Sequence, residues 1–150
     1  MIERRPNGLR IVRRVRAPRE DVFDAWVNPG RLRAWFGPVG TSVIAVDGEL
    51  AVGREYRLRV RREDGQVDDL IWSFREIAPP ERLVFGWSVG LAPPADASRT
   101  VVTITFRELG PFTEIELEHT GVQSEPQREM FAAGWQGCFT GLETSLNQEV

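Results

Sequence analysis

The chain has 150 residues, which fits one domain spanning positions 1–150 and is long enough to bury a substantial core. Its formal net charge of −3 gives no overall attraction to a phosphate backbone, and no apolar run approaches the roughly 18 residues of a membrane span. We therefore expect neither nucleic acid nor membrane partners.

The N-terminal part of the chain predicts one strand followed by two short helices. Residues 9–16 are β-branched and partly alternating, which is typical of a strand, and Ala17-Pro18 ends it. The apolar residues within 22–27 lie at helical spacing. This helix stops at Asn28-Pro29, because the residue before a proline is pushed out of the helical region. The apolar residues within 32–36 predict a second short helix.

Six further strands are predicted after residue 40, each bounded by turn residues. They span residues 41–47, 54–62, 69–77, 82–88, 99–107 and 112–119. The short connections between them favour antiparallel hairpins over parallel crossovers. The longest irregular link, Gly90 to Ser98, is predicted to be a mobile loop at the rim of the sheet.

The C-terminal part predicts a long helix that begins at Ser124. The Ser124 hydroxyl is placed to cap the free amides, Pro126 is tolerated in the first turn, and Gln127 occupies the reciprocal capping-box position. The apolar stripe of this helix comprises Phe131, Trp135, Cys138, Phe139, Leu142 and Leu146. A second stripe of small residues comprises Gly134, Gly137, Cys138, Gly141 and Ser145. Their missing side chains suit either a close approach of helix to sheet or room for a ligand, two explanations of equal weight.

Strand alternation predicts which side chains face the interior. In residues 55–61, Tyr56, Leu58 and Val60 should face the long helix, whereas Glu55 and three arginines should form a solvated outer face rather than a nucleic-acid site. The inward residues include more aromatic side chains than a small core needs, which suits an apolar pocket. An ordinary aromatic core is the alternative, with at least as much support from the sequence.

Five sequence segments, taken in the order in which they occur along the chain, form a recognisable set. They are residues 17–26, Trp35-Phe36-Gly37-Pro38, residues 76–85, residues 117–121 and Gly134-Trp135. In this order the chain resembles the START-like superfamily of helix-grip proteins, also called SRPBCC, and within it the branch of heat-shock protein 90 ATPase activator homologues. The resemblance implies an α+β helix-grip fold. Its curved antiparallel sheet of about six or seven strands wraps around a long C-terminal helix, and two short helices follow strand 1.

The resemblance also implies a cavity between the sheet and the long helix. Combined with strand alternation, it predicts a set of ligand-binding residues on the inner surface. They are Trp35, Tyr56, Leu58, Trp72, Phe74, Phe85, Trp87, Phe106, Leu117, His119, Met130, Gly134, Trp135, Cys138 and Phe139. We expect the partner to be a small hydrophobic molecule.

Three polar residues are candidate catalytic groups. His119, the only histidine, points inward by alternation toward the space of Tyr56 and Glu76, where the three could orient a ligand or move a proton. The competing interpretation gives His119 a satisfied structural role. In that interpretation Glu76 pairs with Arg82 or Arg75.

Other site chemistries are excluded by residue types. One histidine and one cysteine cannot build the usual zinc site, and neither a nucleophile elbow nor a phosphate-binding glycine loop is present, so we predict no metal and no cofactor. Cys138 should be a buried, inert thiol. Because it cannot form an internal disulfide and the first eight residues lack a secretory signal, a cytoplasmic location is expected.

Three functions remain. The favoured one is binding of a small apolar or amphipathic molecule between the sheet and the long helix, without catalysis. The second is a cyclase or dehydratase-type lyase like the polyketide cyclases among the relatives. The third, stimulation of a heat-shock protein 90 ATPase, ranks lowest, because the eukaryotic activator needs an additional N-terminal domain for which 150 residues leave no room. Apolar residues near Val89 and Leu91 suit a homodimer, or else the adjoining loop is a lid.

Overall fold

The computed structural model describes residues 1–37, 40–89 and 100–147. The strands are β1 (Ile2–Arg5), β2 (Gly8–Val15), β3 (Ser42–Gly48), β4 (Glu55–Arg61), β5 (Val67–Ala78), β6 (Arg82–Val89), β7 (Thr100–Leu109) and β8 (Phe112–Thr120). The helices are α1 (Arg19–Val27), α2 (Pro29–Trp35) and α3 (Glu125–Asn147). The predicted loop Gly90 to Ser98 lies outside the described residues.

The strands form one antiparallel sheet in the order β1-β2-β8-β7-β6-β5-β4-β3. This arrangement, with two short helices early in the chain and a long closing helix, confirms the predicted helix-grip fold. The described sheet has eight strands, whereas the sequence predicts about six or seven. The additional strand is β1. A turn at Pro6-Asn7 connects it to β2, and the two strands pair antiparallel from Ile2↔Ile11 to Arg5↔Gly8. Its four residues are mostly charged, so hydrophobic alternation does not mark it.

Asn28 ends one helix and starts the next. Its Oδ1 accepts hydrogen bonds from the backbone amides of Gly30 at 3.0 Å and Arg31 at 3.3 Å, and Pro29 occupies the first position of α2. An Asn cap followed by proline satisfies amides that have no partner inside the helix and fixes the backbone at its start. The predicted break at Asn28-Pro29 is therefore confirmed.

Polar contacts hold α3 along its length. At its start Ser124 Oγ accepts from the Gln127 amide at 3.2 Å as predicted, whereas the Gln127 side chain accepts from the amide of Gln123, one residue before the expected partner. Arg128 Nη1 donates to the carbonyl oxygen of Arg5 at 2.9 Å. In the second half of the helix, Arg13 Nη1 on β2 lies 2.9 Å from a carboxylate oxygen of Glu143.

The inner face of the sheet and the apolar side of α3 enclose the core. Alternation along β4 places Tyr56, Leu58 and Val60 inside and leaves the intervening charged residues exposed, as predicted. The outer face carries cross-strand ion pairs, among them Arg10 with Glu116 at 3.0 Å. On β4, Arg59 takes part in such a pair, with Asp69 at 3.3 Å.

Two side chains predicted to face inward do not. A register shift in the pairing of β5 with β6 between Phe74 and Glu76 interrupts the alternation, so Glu76 lies on the exposed side and pairs with Arg82 at 3.3 Å. Met130 has 62% of its surface exposed, whereas its neighbour Phe131 is buried. Met130 lies beside the apolar stripe of α3 rather than within it. None of the helices in the described ranges is long and apolar enough to cross a bilayer.

Candidate functional site

A groove of about 560 Å³ lies between α3 and one end of the sheet, and we call it the α3 groove. The described residues that line it are Phe36, Thr41, Val60, Arg62, Asp68, Leu70, Trp87, Val89, Gln127, Met130, Phe131, Gly134, Trp135 and Cys138. Ten of these are apolar. The volume is within the range of about 300 to 1,000 Å³ that is typical of small-molecule sites.

Two of the four polar residues that line the α3 groove lie where β4 ends and β5 begins. Arg62 and Asp68 occupy this end, and Arg62 Nη2 donates to Asp68 Oδ1 at 2.8 Å. Gln127, in the first turn of α3, also lines the groove. The groove is therefore amphipathic, with a polar end and mainly aromatic walls.

His119 is fully buried and both of its ring nitrogens have partners. Trp135 Nε1 donates to His119 Nδ1 at 3.0 Å, and His119 Nε2 lies 2.6 Å from Thr100 Oγ1. An indole N–H can only donate, so we assign the imidazole proton to Nε2, from which it is donated to the Thr100 hydroxyl. Burial lowers the pKa of His119 to about 3. The histidine is thus a neutral link between β7, β8 and α3.

Tyr56 also has a structural partner. Its hydroxyl donates to the carbonyl oxygen of Val27, at the end of α1, at 2.7 Å, and burial raises its pKa. This bond ties β4 to the helix pair. Tyr56, His119 and Glu76 do not meet, because each is held in a separate interaction and Glu76 lies on the exposed side of the bulge.

The predicted ligand-binding residues divide between the groove and the packed core. Five of them line the α3 groove: Trp87, Met130, Gly134, Trp135 and Cys138. The others are buried away from its lining: Trp35, Tyr56, Leu58, Trp72, Phe74, Phe85, Phe106, Leu117, His119 and Phe139. Aromatic contacts dominate this second group, with Trp72 stacked on Phe85 at a centroid distance of 4.2 Å. Some of the inward aromatic residues thus line a groove, and the others form an ordinary packed core.

Other groove residues were not among the predicted site residues. Val60 and Leu70 belong to the inward sets that alternation identifies on β4 and β5, so that pattern could have included them. Arg62, Asp68 and Val89 lie at strand ends, and their proximity depends on the register that pairs Leu70 with Val89 and Val60 with Asp68. Alternation within one strand does not give that register.

Cys138 packs in the groove wall as a protonated thiol, the form that is not nucleophilic. It is buried, and burial raises its pKa to about 12. A thiol with such a pKa carries almost no thiolate at neutral pH. Within the described residues, His, Cys, Asp and Glu form no group of three or more that could hold a metal ion.

Comparisons with solved structures show the same fold in several other proteins. A protein from Nitrosomonas europaea is 22% identical, with a TM-score of 0.82 and 96% of each chain covered. One from Chromobacterium violaceum is 25% identical, with a TM-score of 0.83, and the match covers 93% of this chain and 96% of that one. DynU16, a protein in the dynemicin biosynthetic locus, is 22% identical with a TM-score of 0.73, and the match covers 92% of this chain and 46% of DynU16.

A search of curated proteins finds no match. The family model described as "Activator of Hsp90 ATPase homolog 1-like protein" matches residues 16–147, which include all the described helices and all the described strands except β1 and β2. This agrees with the resemblance seen in the sequence segments. The chain therefore belongs to the family of activator of Hsp90 ATPase homolog 1-like proteins.

Proposed function

We propose that this protein binds a small apolar or amphipathic molecule in the α3 groove. The observation that carries the proposal is the combination of aromatic walls, formed by Phe36, Trp87, Phe131 and Trp135, with a polar end at Arg62 and Asp68. An apolar body would be removed from water against the rings, and a polar group would remain near the charged end. Trp87 comes from β6, Phe131 and Trp135 come from α3, and Phe36 directly follows α2.

The test is thermal unfolding with a panel of fatty acids, sterols, flavonoids and polyketide-like aromatics, with tryptophan emission recorded in parallel. A ligand at one hundred times its Kd stabilises the folded state by about 2.7 kcal/mol, which raises the Tm of a chain of this size by about 5 to 10 °C. We expect such a shift for one chemical class, together with a change in tryptophan emission.

Two variants test whether the ligand-induced rise in Tm comes from binding in the α3 groove. Gly134→Leu places a side chain in the α3 groove and should abolish the ligand-induced shift, whereas Thr144→Leu adds a leucine to an exposed position of the same helix and should preserve it. No shift for any class in the wild-type protein would contradict the proposal. An equal shift in both variants would place the ligand elsewhere.

A second candidate is a cyclase-type lyase. It is favoured by the fold shared with DynU16, a protein in a biosynthetic locus. Such an enzyme needs a group that can exchange protons with a bound substrate. His119 and Tyr56 do not line the α3 groove and are bonded within the core, which supports binding over catalysis. Turnover of a bound polyketide-like compound that is lost in His119→Ala would favour the enzyme instead.

The family description suggests a third candidate, stimulation of a heat-shock protein 90 ATPase. An ATPase assay with the purified chaperone separates it from the other two. Stimulation that survives Gly134→Leu would assign this activity to a surface other than the α3 groove.

A further inference from the structure

The ion pair at the polar end of the α3 groove is held by two hydrogen bonds. Arg62 Nε and Nη2 donate to the two carboxylate oxygens of Asp68, the second bond at 2.8 Å. Arg62 Nη1 lies 3.4 Å from the side-chain oxygen of Gln66. A guanidinium recognises a carboxylate through two parallel N–H groups of this kind. In Arg62 those groups already bind a carboxylate of the protein itself.

The hairpin between β4 and β5 holds both partners of this ion pair in place. The backbone amide of Arg62 donates to the carbonyl oxygen of Gln66 at 2.7 Å, which closes the turn. Asp68 lies opposite Val60 in the register of the two strands. Asp68 and Leu70 alternate along β5 and both line the groove. The position of the pair is therefore set by backbone pairing.

Both partners are accessible from the groove. The side chains of Arg62 and Asp68 are 50% and 29% exposed, and both line the groove. The guanidinium has five N–H groups, of which the described residues use three, and a carboxylate can accept about four hydrogen bonds. The polar end thus offers a ligand donors and acceptors side by side.

Further carboxylates lie near Arg62. The hydrogen bond to Asp68, followed by the charges of Asp68 and Asp64, raises the pKa of the Arg62 guanidinium above its ordinary value. A Cβ built on Gly40 would lie 3.0 Å from the carboxyl carbon of Glu63, so this carboxylate lies beside the segment that enters β3. An anion added at this end of the groove would therefore meet more negative than positive charge.

These contacts favour an uncharged polar group over a carboxylate. A ligand carboxylate that accepted the remaining N–H groups of Arg62 would lie within a few ångströms of the Asp68 carboxylate, and like charges at that distance repel. A primary amide or a hydroxyl avoids this repulsion. It can accept from Arg62 and donate to Asp68 at the same time.

We propose that the α3 groove selects apolar ligands that carry an uncharged group able both to donate and to accept a hydrogen bond, such as a primary amide or a hydroxyl, and discriminates against carboxylates. This inference rests on the proposed function and names the chemical class of its ligand. Asp68 is a specificity-determining residue in this proposal, because it occupies the groups with which Arg62 would bind an anion.

The test compares 2-naphthylacetamide with 2-naphthylacetate near pH 7, where the acid is ionised. The two compounds have the same number of heavy atoms and nearly the same shape, but they differ in charge. Calorimetry gives the Kd of each compound for the wild-type protein, Asp68→Asn and Asp69→Asn. The quantity compared is the ratio of the two Kd values within one protein, so a general change in groove affinity cancels.

Asp69→Asn is the matched control for Asp68→Asn. It removes one negative charge from the adjacent position of the same strand, where Asp69 pairs with Arg59 on the outer face and does not line the α3 groove. We expect the wild-type protein to bind the amide about tenfold more tightly than the anion. Asp68→Asn should reduce this preference by about fivefold, whereas Asp69→Asn should leave it within about twofold of the wild-type value.

The outcomes separate this inference from the proposed function. Loss of amide binding in Gly134→Leu would support the groove as the site. If the wild-type protein binds both compounds equally or prefers the anion, or if the two asparagine variants change the ratio alike, the groove binds ligands but the assigned selectivity is wrong. If neither compound binds to the wild-type protein, or amide binding survives Gly134→Leu, the proposed function is contradicted for aromatic ligands and this inference falls with it.

Discussion

At the scale of single residues, His119 connects three elements through one neutral ring. Its Nδ1 must stay unprotonated to accept from Trp135, so a second proton would break a bond to α3 as well as charge a fully buried group. The rings of Trp87, Phe131 and Trp135 surround the imidazole. None of these neighbours carries a charge that would stabilise the imidazolium.

This arrangement predicts a loss of stability in mild acid. The pKa of His119 is about 3 in the folded protein and about 6.5 in the unfolded chain, so only the unfolded chain takes up the proton between these values. Stability must therefore fall as the pH falls through this window. From pH 7 to pH 5 we expect a loss of about 2 kcal/mol from His119 alone.

The measurement is urea unfolding at several pH values for the wild-type protein and His119→Gln. The sequence has one histidine, so the difference between the two proteins isolates this residue. Equal losses in both would contradict the neutral assignment. The imidazole ¹⁵N signals of the folded wild-type protein provide a check that needs no variant, because they should not titrate near pH 6.5.

For the buried polar residues His119 and Tyr56, the direction of the side chain was predictable from the sequence, but its hydrogen-bond partner was not. Alternation correctly places His119 and Tyr56 inside, because successive side chains on a strand face opposite ways. Their partners are Thr100, Trp135 and the Val27 carbonyl, which lie 16 to 29 residues away along the chain. Whether two residues so far apart in sequence meet depends on how the helices and strands pack. The alternation pattern of a single strand carries no information about that packing.

At the scale of elements, the glycines of α3 have two different roles. A Cβ on Gly141 would lie 2.5 Å from the carbonyl oxygen of Trp35, so the absent side chain permits close packing of α3 against α2. The sequence predicts close approach to the sheet, whereas the close neighbour here is a helix. Gly134 lines the α3 groove, which agrees with the alternative of room for a ligand.

Gly141→Ala should therefore destabilise the protein although alanine favours helices. The gain in helix propensity is about 1 kcal/mol, while forcing a methyl group against a backbone oxygen costs about 1 to 3 kcal/mol, so we expect a net loss of up to about 2 kcal/mol. Urea unfolding measures it. Gly134→Ala is the control, and we expect it to be as stable as the wild-type protein or more so. Equal stability of the two variants would contradict the packing argument.

The features that the sequence patterns missed are those defined by the hydrogen-bonded pairing of neighbouring strands. The strand β1 has only four residues and is recognisable by its register with β2 rather than by apolar alternation. The bulge before Glu76 adds one residue to β5, which no residue type in that segment announces. Long alternating strands and the amphipathic α3 were predicted because their patterns repeat over many residues.

At the scale of the whole molecule, arginines on the outer surface are offset by carboxylates. Arg59 pairs with Asp69 at 3.3 Å, and Arg5 pairs with Glu118 at 3.2 Å. The formal net charge of the chain is −3. These ion pairs and the negative net charge reduce the attraction of the protein for phosphate backbones.

We therefore expect no binding of nucleic acid near physiological salt. Proteins that bind DNA without sequence preference have Kd values of about 10⁻⁴ to 10⁻⁶ M under such conditions. Fluorescence anisotropy of a labelled 20-base-pair duplex should show no saturation up to about 100 μM protein. A saturable curve that weakens steeply with added salt would contradict this expectation.

The attachments of α3 have a mechanical consequence for the groove. The helix is held to β1 through Arg128 and the Arg5 carbonyl, to β8 through Trp135 and His119, and to β2 through Arg13 and Glu143. A bound molecule that displaced α3 would have to break at least one of these three bonds. On the proposed binding function, we therefore expect the helix side of the groove to resist widening, so that affinity falls as ligands become bulkier on that side.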